Sequence, residues 1–363
     1  MQNAPNYNLF KIKMTINNDP DGISKSKIMN KINFTKVVKN LLTTVVILAA
    51  VSISAQDEAE NELLISGSID TYYQTNLSAS DDIAQSFGTS FADELGFALG
   101  MANLIVSYEG EKTGVVADVV FGPRGDAAVG GYNLNQLYAF WNVSENITLT
   151  GGRFNTYLGY EVISPVGNFN YSTSYLFSSG PFSHVGVKAD FTLSEDFSLM
   201  LAFMNVTDTN NNLTGAYSAG AQLGYAGQFL NLYYDDGEVL GFEIDYTGGF
   251  DLSSSFFLGI NAAYADNDGE GFTGAALYPQ VEVSEAFSLG LRGEYFETRS
   301  DLVSENPNVF ATTLTGSFSV ENLVIKPEIR LDSWGSDSEP YFDADGMASK
   351  SLSSFLVAAI YSF

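Results

Sequence analysis

Apolar and polar side chains alternate along most of this chain. Residues 323–332 show the pattern clearly, with leucine and isoleucine on one parity and charged side chains on the other: Lys326, Glu328, Arg330 and Asp332. Because side chains on a strand point alternately to opposite faces, such a strand has one apolar face and one charged face. Five of these runs break at a tiny acidic or serine turn and then resume, as in VEVSEAFSLGLRGEYF. Strands of about ten residues, joined by short turns at one end and longer polar loops at the other, are typical of a transmembrane barrel.

The pattern predicts an all-β fold, a transmembrane antiparallel up-and-down β-barrel of about 16 strands. Eight strands run one way, near 62–76, 114–123, 147–156, 197–207, 229–235, 254–266, 287–299 and 323–332. Eight return, near 95–110, 133–143, 183–193, 216–226, 238–249, 274–283, 310–320 and 351–363. Bacterial single-chain barrels have even strand counts, and at about 16 strands the lumen is wide enough for water. Counts of 14 and 18 remain open.

A soluble sandwich would show the same alternation, since it also has an apolar inner face and a polar outer face. Two features favour lipid: the length of the repeated pattern, and tyrosines at strand ends, where an amphipathic ring suits the membrane interface. Pro279 and Pro327 fall inside predicted strands, on the lipid-facing parity. Because proline cannot donate a ladder hydrogen bond, each is expected at a strand end or a bulge.

The N-terminal region has a different composition. Two lysines, Lys36 and Lys39, precede the apolar run LLTTVVILAAVSISA, which ends in small residues before an acidic stretch. This is the pattern of a secretory signal peptide at 29–55, with cleavage after Ala55. Residues 1–28 are interpreted as an over-extended N-terminus upstream of Met29, and 56–363 as the outer-membrane barrel. A membrane-anchored N-terminus is the alternative.

Charge and cysteine content exclude several classes of function. Without residues 1–55, 9 of the 16 basic and 41 of the 43 acidic residues remain, so the predicted mature chain has a net charge near −32. Such a chain has no basic patch for nucleic-acid phosphates. The absence of cysteine excludes disulfides, thiol nucleophiles and thiolate metal sites. After Ala55 no apolar run approaches the ~20 residues of a membrane helix.

Parity also assigns charged side chains to the lumen. The predicted lumen-facing residues are Lys188, Asp190, Glu243, Asp245, Arg292, Glu294, Lys326, Glu328 and Arg330. Counting Asp70, Asp118, Glu282 and Asp332 as well, nine acidic residues face four basic ones. An acidic pathway concentrates cations, so weak cation selectivity is expected. The alternative is a local cluster of the four basic residues at a constriction, which would reverse the preference.

Residues 157–182 form the longest predicted insertion between strands, and Glu161 is its only charged residue. In a barrel of this size we expect the segment to fold into the lumen and narrow it. The candidate constriction residues are Glu161, Asn168, Tyr171 and Tyr175. The alternative is an external loop that packs against neighbouring loops.

The same region carries a family resemblance. The stretch GGRFNTYLGYEVISPVGNFNYSTSYLFSSGPFSHVGVKADF, followed by LAFMNVTD, resembles the OmpL-like family of outer-membrane β-barrel porins of the Bacteroidota type. The shared features include Gly-Arg-Phe at 152–154, Gly-Tyr-Glu at 159–161 and Tyr-Ser-x-Ser-Tyr at 171–175. Similar proteins often have Asn-Gly where this chain has Asn205 and Val206. The resemblance implies a porin-like barrel with passive transport and brings no list of functional residues.

Enzyme chemistry has little support in the sequence. The only histidine, His184, lies near Ser174, Ser178 and Ser183, so a serine–histidine pair is an alternative to a polar lumen residue. The acidic stretches 266–271 and 342–346 lack the ligand spacing of a calcium loop, and no cofactor or metal is expected. Three classes therefore compete: a diffusion porin for small polar solutes or ions, a structural or adhesive barrel without a large open pore, and a barrel enzyme.

The chain ends on an aromatic residue, Phe363. A terminal aromatic is expected to act as the insertion signal for barrel-insertion machinery. The expected partners are therefore this machinery, outer-membrane lipid and small solutes or ions, with a homo-oligomer as a further expectation. Nucleic acid is not among them.

Overall fold

A computed structural model describes residues 62–79, 84–130, 132–335 and 338–363. The predictions for 1–28 and 29–55 lie outside these described residues.

Sixteen strands form one closed antiparallel barrel, in which the first strand pairs with both the second and the last. The first eight are β1 (Glu62–Asn76), β2 (Gly96–Glu109), β3 (Thr113–Phe121), β4 (Leu134–Ser144), β5 (Ile147–Asn155), β6 (Ser183–Thr192), β7 (Phe197–Asn205) and β8 (Tyr217–Tyr225). The others are β9 (Gln228–Tyr234), β10 (Phe242–Ser253), β11 (Phe256–Asn267), β12 (Glu270–Ser284), β13 (Phe287–Ser300), β14 (Asn308–Val320), β15 (Leu323–Trp334) and β18 (Ser351–Ser362). The all-β prediction of a 16-stranded barrel is confirmed.

In the described parts of the chain, the elements outside the barrel wall are short. Two strands, β16 (Tyr341–Phe342) and β17 (Ala348–Ser349), form a separate small sheet. Two helices, α1 (Pro123–Val129) and α2 (Tyr175–Ser179), lie in connections between barrel strands. Among the described residues, no helix is both long and apolar enough to cross a membrane.

The two ends of the barrel differ in the length of their connections. At one end, seven turns of two to four residues join β2 to β3, β4 to β5, β6 to β7, β8 to β9, β10 to β11, β12 to β13 and β14 to β15. At the other end the connections are longer, with the exception of the two-residue turn between β11 and β12. The longest is residues 156–182, between β5 and β6. Short turns are typical of the periplasmic end of bacterial barrels.

The predicted starts of two strands are wrong by four residues: β12 begins earlier than predicted, at Glu270, and β10 begins later than predicted. Alternation placed the start near Glu238, whereas β10 begins at Phe242. The Asp235 carboxylate accepts hydrogen bonds from the backbone N–H groups of residues 238–241, at 2.8 to 3.2 Å. These groups are therefore committed to a turn and cannot join the ladder.

The prediction for the two prolines is also wrong. Pro279 lies inside β12, and the pairing with β13 keeps one register from Leu277 to Gln280. Pro327 lies inside β15, which keeps its register with both β14 and β18. A long ladder thus tolerates the loss of one backbone donor without a bulge, because the hydrogen bonds on either side hold the register.

The outer surface of the wall is apolar and carries tyrosines at both ends. Tyr108, Tyr225 and Tyr361 are exposed near the short turns, and Tyr217, Tyr234 and Tyr295 near the longer connections. Between them the outward side chains are mostly leucine, isoleucine, valine and phenylalanine. An apolar band flanked by aromatic rings is the surface that a lipid bilayer requires of a barrel.

Candidate functional site in the barrel lumen

Residues 157–182, here called the inner segment, lie inside the barrel. At its start, the Tyr157 hydroxyl donates to the Leu232 carbonyl (2.7 Å), and the Gly159 N–H donates to the Asp245 carboxylate (3.0 Å). The Tyr160 ring stacks on Tyr278 with centroids 4.4 Å apart. These contacts place the start of the inner segment against β9, β10 and β12.

Arginine and lysine side chains of the wall hold the middle of the inner segment. Arg292 Nη1 donates to Glu161 Oε1 (2.7 Å) and to the Ser172 carbonyl (2.6 Å). Lys326 donates to the carbonyl oxygens of Pro165 and Asn168. Buried carbonyl groups need hydrogen-bond donors, and these two cations provide them.

A second arginine extends the same contact. Arg330 Nη1 donates to the Thr173 carbonyl (3.0 Å) and to the Thr89 hydroxyl (3.0 Å). Its guanidinium also makes a two-point contact with the Asp332 carboxylate, at 2.8 and 2.9 Å. Fork-to-fork pairing of this kind fixes the orientation of the guanidinium. Arg330 therefore joins the inner segment to the loop that follows β1.

Wall carboxylates accept hydrogen bonds from the backbone N–H groups of the inner segment. Glu328 accepts from Tyr171 (2.9 Å) and Ser172 (3.2 Å). Glu294 accepts from Tyr175 (3.0 Å) and Leu176 (2.8 Å), where α2 begins. Each carboxyl group satisfies two buried backbone donors. The wall thus satisfies both the donors and the acceptors of the inner segment.

Two tyrosines of the inner segment donate to wall carboxylates through their hydroxyl groups. Tyr171 donates to Asp70, and Tyr175 donates to Asp332 (2.7 Å). Burial raises the pKa of both phenols, and the adjacent carboxylates raise it further. Both hydroxyls therefore stay protonated and act as donors.

Glycines on the lumen face give the aromatic rings of the inner segment room to approach. A Cβ added at Gly290 would lie 2.3 Å from the Phe169 ring, and one at Gly259 would lie 2.3 Å from the Tyr160 hydroxyl. Real Cβ atoms are never found so close to other atoms. The wall of β11–β15 is therefore shaped to the inner segment as well as bonded to it.

The charged residues predicted to face the lumen lie in two different environments. Arg292, Glu294, Lys326, Glu328 and Arg330 are buried, and they face the inner segment instead of open water. The remaining four are Lys188, Asp190, Glu243 and Asp245. Glu243 and Asp245 are also buried, and one oxygen of Glu243 has no hydrogen-bond partner.

Lys188 and Asp190 are different because they remain partly accessible. They form an ion pair of 2.7 Å on β6, with side-chain exposures of 25% and 40%. A cavity of about 330 Å³ lies beside them, lined by β4–β8 and the start of the inner segment. Its lining includes Gln136, Tyr138 and Gln222.

A second cavity, of about 360 Å³, lies toward the short-turn end of the barrel. Its lining combines Gly167 and Phe169 of the inner segment with wall residues near the short turns, such as Val324 and Ser362. Polar space therefore remains on both sides of the inner segment.

The four candidate constriction residues all contact other parts of the lumen or of the segment. Glu161 pairs with Arg292, and Tyr171 and Tyr175 bond to wall carboxylates as described. Asn168 acts inside the segment, where its side chain bonds to both the N–H and the carbonyl of Val162. Its own carbonyl accepts from Lys326.

Sequence reasoning missed Arg124, which lies in α1 and is 3% exposed. Its Nε donates to the Ile163 carbonyl (2.9 Å), and its guanidinium lies over the rings of Phe91 and Tyr171. Strand parity could not identify it because it is not on a strand. The available signal was that Arg124 is the only basic residue in the connection between β3 and β4.

The serine–histidine alternative is not formed in the structure. His184 Nε2 lies 3.0 Å from the Thr156 hydroxyl, and the ring is completely buried. Ser174 and Ser178 bond to Glu161 and to the Ser174 carbonyl, respectively, and Ser183 bonds to Asp208. In the described parts of the chain, no group of three or more histidine, aspartate or glutamate side chains could hold a metal ion.

Comparisons with known proteins agree with this architecture. Among solved structures, the outer membrane channel DcaP of Acinetobacter baumannii is similar, with a TM-score of 0.55 and 15% identity over 85% of this chain and 100% of that one. OmpT of Vibrio cholerae in its trimer form is similar too, with a TM-score of 0.52 and 9% identity over 84% and 100% of the two chains. These likenesses show the fold alone.

No curated protein matches the sequence. The family described as "Putative beta-barrel porin-2, OmpL-like" matches residues 62–363, which include every barrel strand. The chain belongs to this OmpL-like family of β-barrel porins.

Proposed function

We propose that the protein is an outer-membrane channel for the passive diffusion of small polar solutes, narrowed by the inner segment. The observation that carries this proposal is that the inner segment and the β12–β15 wall satisfy each other's hydrogen-bonding groups. Polar cavities remain on either side of the segment. A plug that filled the lumen without function would not need accessible charged side chains such as Lys188 and Asp190. Membership of the porin family supports the same conclusion.

Glu161, Asn168, Tyr171 and Tyr175 are proposed to act by holding the constriction in place. Their bonds reach wall residues up to 158 positions away in the sequence, which fixes the segment across the lumen. A segment held this rigidly would give the channel a constant minimum width. Solute size would then be limited by the inner segment and not by the diameter of the barrel.

Weak cation selectivity is proposed from the charges that remain exposed. Near the inner segment, buried cations face carboxylates and carbonyl oxygens, so their fields largely cancel. Acidic side chains are exposed at the end of the barrel that carries the longer connections: Glu94, Glu339 and Asp345 in those connections, and Asp268 in the turn between β11 and β12. These acids would raise the local concentration of cations at the mouth of the channel.

Reversal potentials under a KCl gradient test this proposal. Cation preference is expected at 0.1 M salt, and it should weaken at 1 M because the Debye length falls from ~10 Å to ~3 Å. Anion preference at low salt would contradict it.

A structural or adhesive barrel without an open pore is the second candidate, favoured by the dense packing of the inner segment against β11–β15. Single-channel recordings in planar bilayers separate the two functions. Discrete conductance steps support the channel, and a silent bilayer containing folded protein supports the structural barrel.

Assembly through the C-terminal strand is part of the proposal. The backbone of Phe363 exchanges two hydrogen bonds of 3.0 Å with Gly67, and its ring is 54% exposed. An exposed terminal ring is available to insertion machinery before the barrel closes. Deleting Phe363 should lower the amount of inserted protein in the outer membrane more than it lowers the thermal stability of the barrel. Normal surface levels of the truncated chain would contradict this role.

A further inference from the structure

We infer that solutes cross the barrel along the β4–β8 wall, and that Lys188 and Asp190 are the residues that set the selectivity of this path. The inference rests on the proposed function, since it requires a conducting channel. It assigns the route to one side of the lumen.

The charged side chains of the lumen differ in accessibility. Arg292, Arg330 and Glu294 are at most 2% exposed, because the inner segment covers them. Lys188 and Asp190 keep a quarter and two fifths of their side-chain surface. A passing solute can interact only with charges that it can reach.

The cavity beside the accessible ion pair runs along the wall. The cavity beside Lys188 begins at Gln136 and Asn155, near the longer connections, and extends to Met200 and Gln222 in the middle of β7 and β8. It is bounded across the lumen by Thr156 and Tyr157 of the connection after β5. The cavity therefore follows the wall in the direction that a solute must travel.

The lining of this cavity combines amide groups with phenol rings. Amide groups of Gln136, Asn155 and Gln222 face this space together with the rings of Tyr138 and Tyr157. Amide and phenol groups both donate and accept hydrogen bonds, so this lining fits a solute that carries hydroxyl or amino groups.

The ion pair adds a balanced field. Lys188 and Asp190 present opposite charges 2.7 Å apart, so neither sign of ion is strongly attracted. The path should therefore favour small, uncharged or zwitterionic solutes with several hydrogen-bonding groups. Neutralising one partner should expose the charge of the other.

Two substitutions test the inference in opposite directions. Asp190→Asn leaves Lys188 unpaired and should shift the potassium-to-chloride permeability ratio toward chloride by about 25-fold, because one unit charge about 4 Å away in water favours chloride about fivefold and disfavours potassium about fivefold. Lys188→Met leaves Asp190 unpaired and should shift the ratio toward potassium by a similar factor. Reversal potentials of the full-length mature protein in planar bilayers at 0.1 M KCl give the ratio.

Matched controls come from a second ion pair of similar exposure. Arg299 and Asp266 lie 3.2 Å apart at the rim, with side-chain exposures of 26% and 34%. Both side chains point away from the lumen. Glu294 on β13 and Ala265 on β11 are buried and face inward, and Arg299 and Asp266 fall on the alternate positions of these strands. Asp266→Asn and Arg299→Met should leave the permeability ratio within about 1.5-fold of the unmodified protein, since outward charges are screened from the path.

A chemical test uses the absence of cysteine in the chain. Gln222→Cys places a thiol in the cavity, and Thr313→Cys places one beside the buried Arg292. A charged methanethiosulfonate reagent should reduce the current through the Gln222→Cys protein by more than half. It should leave the current of the Thr313→Cys protein unchanged.

The outcomes separate the inference from the function on which it rests. If the unmodified protein conducts but neither Lys188→Met nor Asp190→Asn moves the permeability ratio beyond the rim controls, the route is wrong and the channel stands. Thiol block at position 313 and not at 222 would place the route on the opposite wall. If the folded, unmodified protein does not conduct, the proposed function and the inference both fail.

Discussion

The lumen-facing side chains of two parts of the barrel wall lie in different environments. Strands β12–β15 bind the inner segment with buried arginines, a lysine and carboxylates, whereas β4–β8 keep a cavity beside an accessible ion pair. Both walls show the same alternation of apolar and polar residues. The difference shows that lumen charges serve two purposes, one to position a segment and one to contact solvent, and that burial separates them.

The largest effect is expected when the attachment to the β12–β15 wall is broken. Arg292→Met removes the guanidinium from Glu161 and from the Ser172 and Thr173 carbonyl groups. It leaves Glu161 buried without its cation, a change that typically costs about 3–5 kcal/mol. We expect a lower melting temperature by circular dichroism in detergent and a higher, noisier single-channel conductance.

Arg299→Met is the matched control for this substitution, because it breaks an exposed ion pair worth about 0–1 kcal/mol. Replacing Glu161 by Gln in the Arg292→Met protein should recover part of the lost stability, since the unpaired buried charge is then absent. Equal stability of the Arg292→Met and Arg299→Met proteins would mean that the pair does not hold the inner segment.

A smaller effect is expected from a change in shape alone. Gly290→Ala puts a methyl group where the Phe169 ring lies, and overpacking of this kind typically costs about 1–3 kcal/mol. Gly293→Ala, on the same strand, meets no atom within 4 Å and should change stability by less than about 0.5 kcal/mol. Denaturation of the two variants in parallel measures the difference, and identical midpoints would show that the wall is not shaped to the ring.

The smallest effect is expected from one hydroxyl. Tyr175→Phe keeps the ring but removes a hydroxyl that lies 2.7 Å from both Asp332 and the Phe87 carbonyl. The expected loss is about 1–2 kcal/mol, because a buried hydrogen bond is lost while Asp332 keeps Arg330. Tyr217→Phe, at an exposed ring, is the control and should have no measurable effect on the melting temperature.

Alternation predicted the strands well because it is a local signal that each strand repeats. The parity of Glu294 and Glu328 follows from their neighbours in the sequence, so it could be read before the fold was known. The hydrogen-bond partners of these carboxylates could not be predicted from the sequence, because Tyr175 and Tyr171 lie 119 and 157 positions away. Glycine on the lumen parity, as at Gly259 and Gly290, was the one local sign that another segment packs closely there.

Other errors have equally local physical causes. The start of β10 was misplaced because the Asp235 carboxylate accepts hydrogen bonds from the backbone N–H groups just before the strand. The alternation of apolar and polar residues carries no information about such a contact. Arg124 was missed because it acts from a short helix. A strand pattern identifies residues of the wall, whereas the residues that complete the lumen come from the connections.

The most direct measurement asks which wall the inner segment touches. In the cysteine-free chain, Asn170→Cys combined with Thr315→Cys replaces two side chains whose polar atoms are 2.7 Å apart. A short bifunctional thiol reagent should cross-link this pair in the folded barrel and leave the conductance unchanged. The pair of Asn170→Cys with Thr150→Cys, on β5, should not cross-link. Cross-linking to position 150 instead of 315, or to neither, would contradict the placement of the inner segment against the β12–β15 wall.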